Sequence, residues 1–261
     1  MTILSVNLNK IALLRNSREG HRPSVLDAAR DAIAAGAKGI TVHPRSDQRH
    51  IRPDDVLGLA KMLGEDYPHI EFNVEGTPFA EPRDNGYPGF IQLVQQVRPH
   101  QVTLVPDSDE QLTSDHGWDL SEHNAPLARS IEACHATGAR VGLFMDPVPE
   151  QLRAAADYGV ERIEFYTGPY AEIFWARGEA HATTQECFKT FVDAAAVATE
   201  MGLGINAGHD LDQENLPLFA TMPGLLEVSI GHAIICEALD DGFSPTVRNY
   251  VEILRQAATR V

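Results

Sequence analysis

Cysteine, positive charge and long apolar runs are all scarce in this chain, and each scarcity excludes a class of protein. Cysteine occurs three times in 261 residues, at Cys134, Cys187 and Cys236. The positions are widely spaced, odd in number and free of any CxxC pair, which predicts reduced thiols in helices rather than a disulfide or zinc framework. Lys and Arg total 21 against 37 Asp and Glu, a formal net charge of −16. Nucleic acid needs a basic footprint and is therefore not an expected partner. Small phosphorylated ligands stay open, because a few arginines and helix N-termini can hold them locally. No apolar run approaches the roughly 18 residues of a membrane span. The stretch Met1–Lys10 has no basic region before its short apolar segment and no signal-cleavage pattern, so a cytoplasmic protein is expected. A GxGxxG after the first strand, an HExxH and an HxH on strand one are all missing, which argues against a dinucleotide fold and a catalytic metal.

What is present is a repeated alternation. Val6-Asn7-Leu8-Asn9, Ile40-Thr41-Val42-His43, Ile70-Glu71-Phe72-Asn73-Val74-Glu75 and Ile163-Glu164-Phe165-Tyr166 each alternate apolar with polar residues. Strands interleaved with helices form parallel sheets, whose strands usually read apolar on both faces. A buried polar group must be hydrogen-bonded or it costs several kcal/mol on some scales, so the polar face should look into a shared polar interior. Strands are predicted at 3–9, 39–43, 70–75, 101–105, 140–145, 162–166, 203–207 and 226–230, with helical patterns between them. Ser24 reads as an N-cap, Pro53 as a helix start with Asp54 and Asp55 in its first turn, and Ser244-Pro245 as the start of the final helix. An arginine-rich loop (Arg15, Arg18, Arg22) is expected after strand one. The stretch 167–183, with Tyr170, Phe174 and Trp175, is expected to be an irregular loop, either a lid or a surface contact. Eight strand–helix units in a chain of this length predict one domain over 1–261, a single (β/α)8 TIM barrel with additional helices.

In such barrels the active site lies at the C-terminal ends of the strands. His43, His209 and His232 fall at three predicted strand ends, with Arg45 and His50 in the loop after strand two. Glu71 lies on the polar face of strand three, where burial would tune it for proton transfer. Glu164 has the same parity in strand six with a weaker case. Gly231, followed by a short helix, matches a common barrel phosphate site to which His232 adds a donor, and Arg18 and Arg45 are candidates to grip a phosphate or carboxylate.

Several longer motifs carry a resemblance. Val6–Ala12, Leu14-Arg15-Asn16-Ser17-Arg18, Gly39–Arg45, Arg49-His50-Ile51, Asn206-Ala207-Gly208-His209 and Ile230–Ile235 run in the order seen in pyridoxine 5′-phosphate synthases, across nearly the whole chain. The chain resembles that family, and the resemblance implies condensation of 1-deoxy-D-xylulose 5-phosphate with 3-amino-2-oxopropyl phosphate. The products are pyridoxine 5′-phosphate, phosphate and water, formed without metal or organic cofactor. It further implies a homo-oligomer, an octamer built from dimers. By resemblance His43 and Glu71 accept protons and His209 donates one. Asn7, Arg18, Gly231 and His232 hold the amino-ketone phosphate, with a contact from Asp210, and Arg45, His50 and Thr113 hold the deoxyxylulose phosphate. The chain departs from many members in having Asn9-Lys10 for Asp-His, which would face the deoxyxylulose phosphate, and Asp210 for glycine.

Two other readings share the fold. A barrel aldolase or epimerase acting on sugar phosphates would, in its Schiff-base form, want a lysine at a strand end, and Lys10 is the lysine nearest such a position. A non-catalytic binder of phosphorylated ligands would keep the polar interior without working acid–base groups.

Overall fold

The computed structural model describes residues 1–18 and 20–259, so the last two residues of the expected domain lie outside the described part. The strands are β1 Ile3–Asn7, β2 Gly39–Val42, β3 Glu71–Gly76, β4 Gln101–Leu104, β5 Arg140–Met145, β6 Arg162–Phe165, β7 Gly204–Ala207 and β8 Leu225–Ile230. They pair in chain order and close through β1 and β8, all in parallel, so the predicted barrel is the observed one. The closing register sets Ser5 opposite Ser229, while Thr41 lies opposite Asn73 and Glu164 opposite Asn206.

Alternation explains how this sheet is solvated on neither side. Val6, Ile40, Val74, Val102, Leu143 and Ile163 are fully buried among the apolar residues between the sheet and its helices. Their neighbours of opposite parity point into the barrel and bond to one another. Ser5 Oγ and Thr41 Oγ1 lie 2.7 Å apart, Thr103 Oγ1 donates to Asn73 Oδ1 at 3.3 Å, and Asn206 Nδ2 donates to Glu227 Oε2 at 3.4 Å. Mutual hydrogen bonding is what makes a polar barrel interior tolerable.

The surrounding helices follow the sequence with instructive exceptions. Ser24 caps α2 (Val25–Ala34) as expected, accepting the Asp27 N–H at 3.2 Å, and α3 (Pro53–Asp66) starts on its proline. The expected arginine-rich loop after β1 opens with a helix, α1 (Asn9–Asn16), which takes in Arg15, while Arg18 and Arg22 lie in the non-helical stretch beyond it. Strand one stops early because the Asn7 side chain accepts the Asn9 N–H at 3.0 Å and turns the chain. Ile11, Ala12 and Arg15 form the buried face of α1, and Arg15 is bound by Asp55 and by the His50 carbonyl.

The stretch expected to be irregular after β6 is also helical, with α7 at Gly168–Arg177 and α8 at Ala182–Glu200. Its aromatic residues are mostly core. Tyr170 is buried, its ring 5.1 Å from Phe219, and its hydroxyl donates to the Asn215 carbonyl at 2.8 Å. Trp175 remains exposed and donates to Asp212 at 2.6 Å. The helix α5 (Ala125–His135) starts at the Asn124 cap, whose side chain accepts the Leu127 N–H. The final pair is α10 (His232–Asp241) and α11 (Phe243–Ala257), with Gly242 rather than Ser244 at the junction, in a positive-φ conformation that glycine adopts readily. Among the described residues no helix is long and apolar enough to cross a membrane.

Candidate active site

A cavity of about 400 Å3 opens at the C-terminal end of the barrel. Its floor is the upper layer of inward-facing strand residues, and its walls are the loops after β2, β4, β7 and β8 together with the first turn of α1. Twelve of the fourteen residues named from the sequence line it. His43, Arg45 and His50 come from the β2 side, and Asn7, Asn9 and Lys10 from β1 and α1. Thr113 comes from the β4 loop, His209 and Asp210 from the end of β7, and Gly231 and His232 from the end of β8.

Two residues lie elsewhere. Arg18 is exposed just past α1 and does not line the cavity. Glu71 is the first residue of β3, at the opposite end of the barrel, where it is ion-paired with Arg140 at 2.5 Å. The expectation for Glu71 is therefore corrected. Alternation identified the face it shares with Glu75, but four residues along a strand is about 13 Å, and only Glu75 reaches the cavity. The signal was in the sequence, since Glu75 is the glutamate nearer the C-terminal end of strand three. Glu164, from β6, also lines the cavity.

The site is an acid–base cluster under a cationic rim. Glu75 accepts from Asn7 Nδ2 at 3.4 Å and Asn73 Nδ2 at 3.3 Å. Burial, then the nearby carboxylates of Glu164, Glu227 and Asp107, hold its pKa well above the usual carboxylate range. Burial and Glu227 push Glu164 up likewise, and its Oε2 has no partner. His43 is driven the other way, well below the ordinary imidazole value, by burial and then by Arg45, His50, Arg49 and His209. Its backbone N–H donates to Asn9 Oδ1 at 2.8 Å, so Asn9 fixes the start of the β2 loop. His50 is lowered to about 3 by burial and by Arg45, and its Nδ1 accepts the Ile51 N–H at 2.9 Å.

Burial also lowers His209, but Asp210 and Asp107 oppose it. Its Nε2 is 3.5 Å from Thr113 Oγ1 and 3.9 Å from Asp210 Oδ2, and its ring packs against Tyr166 at 5.4 Å. Asp210 holds a left-handed φ of 61°, steadied by Asn215, which donates to its carbonyl at 3.1 Å. Gly208 and Gly231 are required by close approach. A Cβ on Gly208 would sit 2.0 Å from the Ser229 carbonyl oxygen, and one on Gly231 would sit 3.0 Å from Asn7. Gly231 is also the N-cap of α10, whose first N–H groups and dipole face the cavity beside His232.

The loop after β4 was not read as functional apart from Thr113. It carries Asp107, which is buried and bound by Arg45 and by Ser114 Oγ at 3.0 Å. Arg45 and Arg49 also donate to the Gln111 carbonyl in that loop, each at 3.0 Å. Among the described residues no three His, Cys, Asp or Glu side chains are arranged to hold a metal ion.

The model of the family described as pyridoxal phosphate biosynthesis protein PdxJ matches residues 4–256. The chain belongs to this family. A pyridoxine 5′-phosphate synthase of Xanthomonas oryzae pv. oryzae (strain MAFF 311018) is 56% identical over 259 residues, covering 98% of both chains. One of Xylella fastidiosa (strain 9a5c) is 54% identical over 254 residues, covering 97% of this chain and 95% of the relative. Among solved structures, phosphoribosyl anthranilate isomerase from Thermus thermophilus superposes with a TM-score of 0.56 at 16% identity, covering 98% of this chain and 99% of that one. At that identity the likeness is one of fold.

Proposed function

We propose that this chain is a pyridoxine 5′-phosphate synthase, an enzyme of vitamin B6 biosynthesis that joins 1-deoxy-D-xylulose 5-phosphate to 3-amino-2-oxopropyl phosphate. The observation that carries the reading beyond family membership is that one cavity combines two anion sites with acid–base groups between them. One anion site is the N-terminus of α10, with Gly231, His232 and Asn7, and it takes the amino-ketone phosphate. The other is the rim of Lys10, Arg45, His50 and Thr113, and it takes the deoxyxylulose phosphate. Holding both substrates in one cavity converts a bimolecular condensation into a local one.

The chemistry is a sequence of proton movements: carbon–nitrogen bond formation with loss of water, loss of phosphate, and ring closure. A base must be neutral or anionic when it acts, and burial among cations keeps His43 neutral at physiological pH. Glu75, whose pKa is held above the usual carboxylate range, retains a proton more firmly than an ordinary carboxylate, and it replaces Glu71 in the role of second proton-transfer group. His209 donates; burial lowers its pKa, and Asp210 and Asp107 partly offset that by favouring the protonated form. Glu164 lies beside Glu75 as a second proton-holding carboxyl. Lys10 supplies a fixed cation to the phosphate rim. The Asp210 backbone N–H serves the anion, while its carboxylate turns toward His209.

The chain is read as a cytoplasmic homo-oligomer, an octamer built from dimers. Its support is the resemblance together with exposed apolar residues on two helices in contact, Leu14 on α1 and Leu239 on α10, at 54% and 81% exposure. The deciding experiment mixes purified protein with both phosphorylated substrates and measures pyridoxine 5′-phosphate and released phosphate. Formation of both, lost in Glu75→Gln and His209→Asn, supports the synthase. Substrate binding without product from the unaltered, folded protein would leave the binder reading in its place.

A further inference from the structure

Asp107 is placed where its burial needs a reason. It follows β4, behind the cavity-lining side chains of His43 and Arg45, its side chain is 2% exposed, and its Oδ1 has no hydrogen-bond partner. Its Oδ2 accepts from Arg45 and from Ser114, and lies 4.0 Å from His43 Nε2. Among the described residues it is the one carboxylate within that distance of His43.

The charge around His43 is otherwise of the wrong sign for a base. Arg45, Arg49 and His50 approach from its own loop and His209 from the end of β7, and all four disfavour a proton on the ring. That keeps His43 free to accept, yet an acceptor becomes an imidazolium once it has acted. A cation formed in a buried site beside two arginines needs an anion within a few ångströms.

We propose that Asp107 is the partner carboxylate of His43, a positioning residue that orients its ring and balances the imidazolium formed during turnover. The assignment rests on His43 being the proton acceptor of the synthase reaction. Nε2 lies 4.0 Å from the carboxylate, and the pairing assigns the neutral ring's hydrogen to Nε2 and the accepting role to Nδ1. In the step itself a substrate C–H or N–H gives its proton to Nδ1 and its bonding pair stays on the substrate. The positive charge then spreads over an imidazolium whose Nε2–H points at Asp107. The bond from Arg45 to the same oxygen couples this base to the phosphate rim, since one carboxylate holds both side chains in place.

The test has two arms. In the unliganded wild-type protein labelled with 15N-histidine, the ring nitrogen shifts of His43, assigned by loss of its signals in His43→Asn, should report the Nε2–H tautomer. The Nδ1–H tautomer would overturn the pairing. The second arm compares Asp107→Asn with wild type in turnover across pH, with unfolding temperature checked alongside. The expected result is a fall in kcat of tenfold or more, and an acidic limb of the rate profile displaced to lower pH, because loss of the anion makes His43 harder to protonate. A separate rise in KM for deoxyxylulose phosphate reports the released Arg45. A rise in KM alone, with kcat and the acidic limb unmoved, would mean that Asp107 serves Arg45 only and would overturn the proposal. If the wild-type protein makes no product the synthase reading fails, while the tautomer measurement still decides the pairing.

Discussion

Glu71 and Glu75 sit on one strand, face the same barrel interior and are separated by three residues, yet they occupy opposite chemical worlds. Glu71, at the N-terminal end, meets the guanidinium of Arg140, which also donates to Gln101 at 3.1 Å, and Gln101 reaches Glu227 at 3.5 Å. That end is largely a paired network of compensating charges. Glu75, at the C-terminal end, has amide donors and no cation among its hydrogen-bond partners, and carboxylates surround it. Paired charge is structural where the partners meet, as in Glu71 with Arg140, although Arg140 Nε has no partner and Glu227 keeps a raised pKa. Uncompensated charge shifts pKa values and leaves groups ready to exchange protons. The lower end therefore plugs the barrel, and the upper end holds the cavity proposed as the active site.

The sharpest way to break this comparison is the pair of isosteric changes. Glu75→Gln should lower kcat by about 10²- to 10⁴-fold, the usual worth of a positioned proton-transfer group. Glu71→Gln should leave kcat within a few-fold. Equal losses in a steady-state assay would erase the distinction between the two ends.

A second test probes the carboxylate between them. Glu227 is held at about 7 by burial and by Glu71, against a usual 4.5. Its folded pKa is raised, so the folded state binds the proton more tightly than the unfolded one between those values. Stability should therefore fall as pH rises from about 4.5 to 7, by roughly 2–3 kcal/mol from this group. Urea unfolding across that range should show the slope, and Glu227→Gln should flatten it. An unchanged slope in the variant would place the titrating group elsewhere.

A smaller effect is expected at Asp210. Replacing it with glycine relieves a left-handed φ and should stabilise the fold by about 1 kcal/mol, while removing an anion that favours protonated His209. The alkaline limb of the rate profile should then move to lower pH, because a donor must be protonated to act. A limb that stays in place would show that Asp210 does not tune His209. The smallest effect is the stability change in Glu71→Gln, measured by denaturant midpoint. The ion pair is about a third exposed on both sides, and such pairs contribute about 1 kcal/mol or less.

The comparison also marks how far the sequence could be read. All eight strands were legible, because alternation with period two and intervening helical periods are local signals. Their ends led to His43, His209 and Gly231, which line the cavity, since a strand end is itself a local feature. Depth along the barrel axis was not legible. Alternation assigns Glu71 and Glu75 to one face and says nothing of which carboxylate meets Arg140, a residue about 70 positions away in the chain. The helix α1 was missed because the arginines suggested a loop, whereas Arg15 is buried against Asp55. The helix α7 was missed because its aromatic residues find Phe191 and Phe219 only after α8 and α9 (Leu216–Phe219) have packed. Asp107 was invisible, since a lone aspartate in a polar loop carries no periodicity at all.

The sequence by itself determined the barrel, the polar interior and the end at which the cavity opens, because these follow from periodicity, strand polarity and the direction of a parallel sheet. Tertiary structure alone decided which charges are neutralised. An ion pair such as Arg45 with Asp107, or Glu71 with Arg140, forms between residues on different strands or loops. Burial and partnership then set whether each group supports the fold or moves a proton.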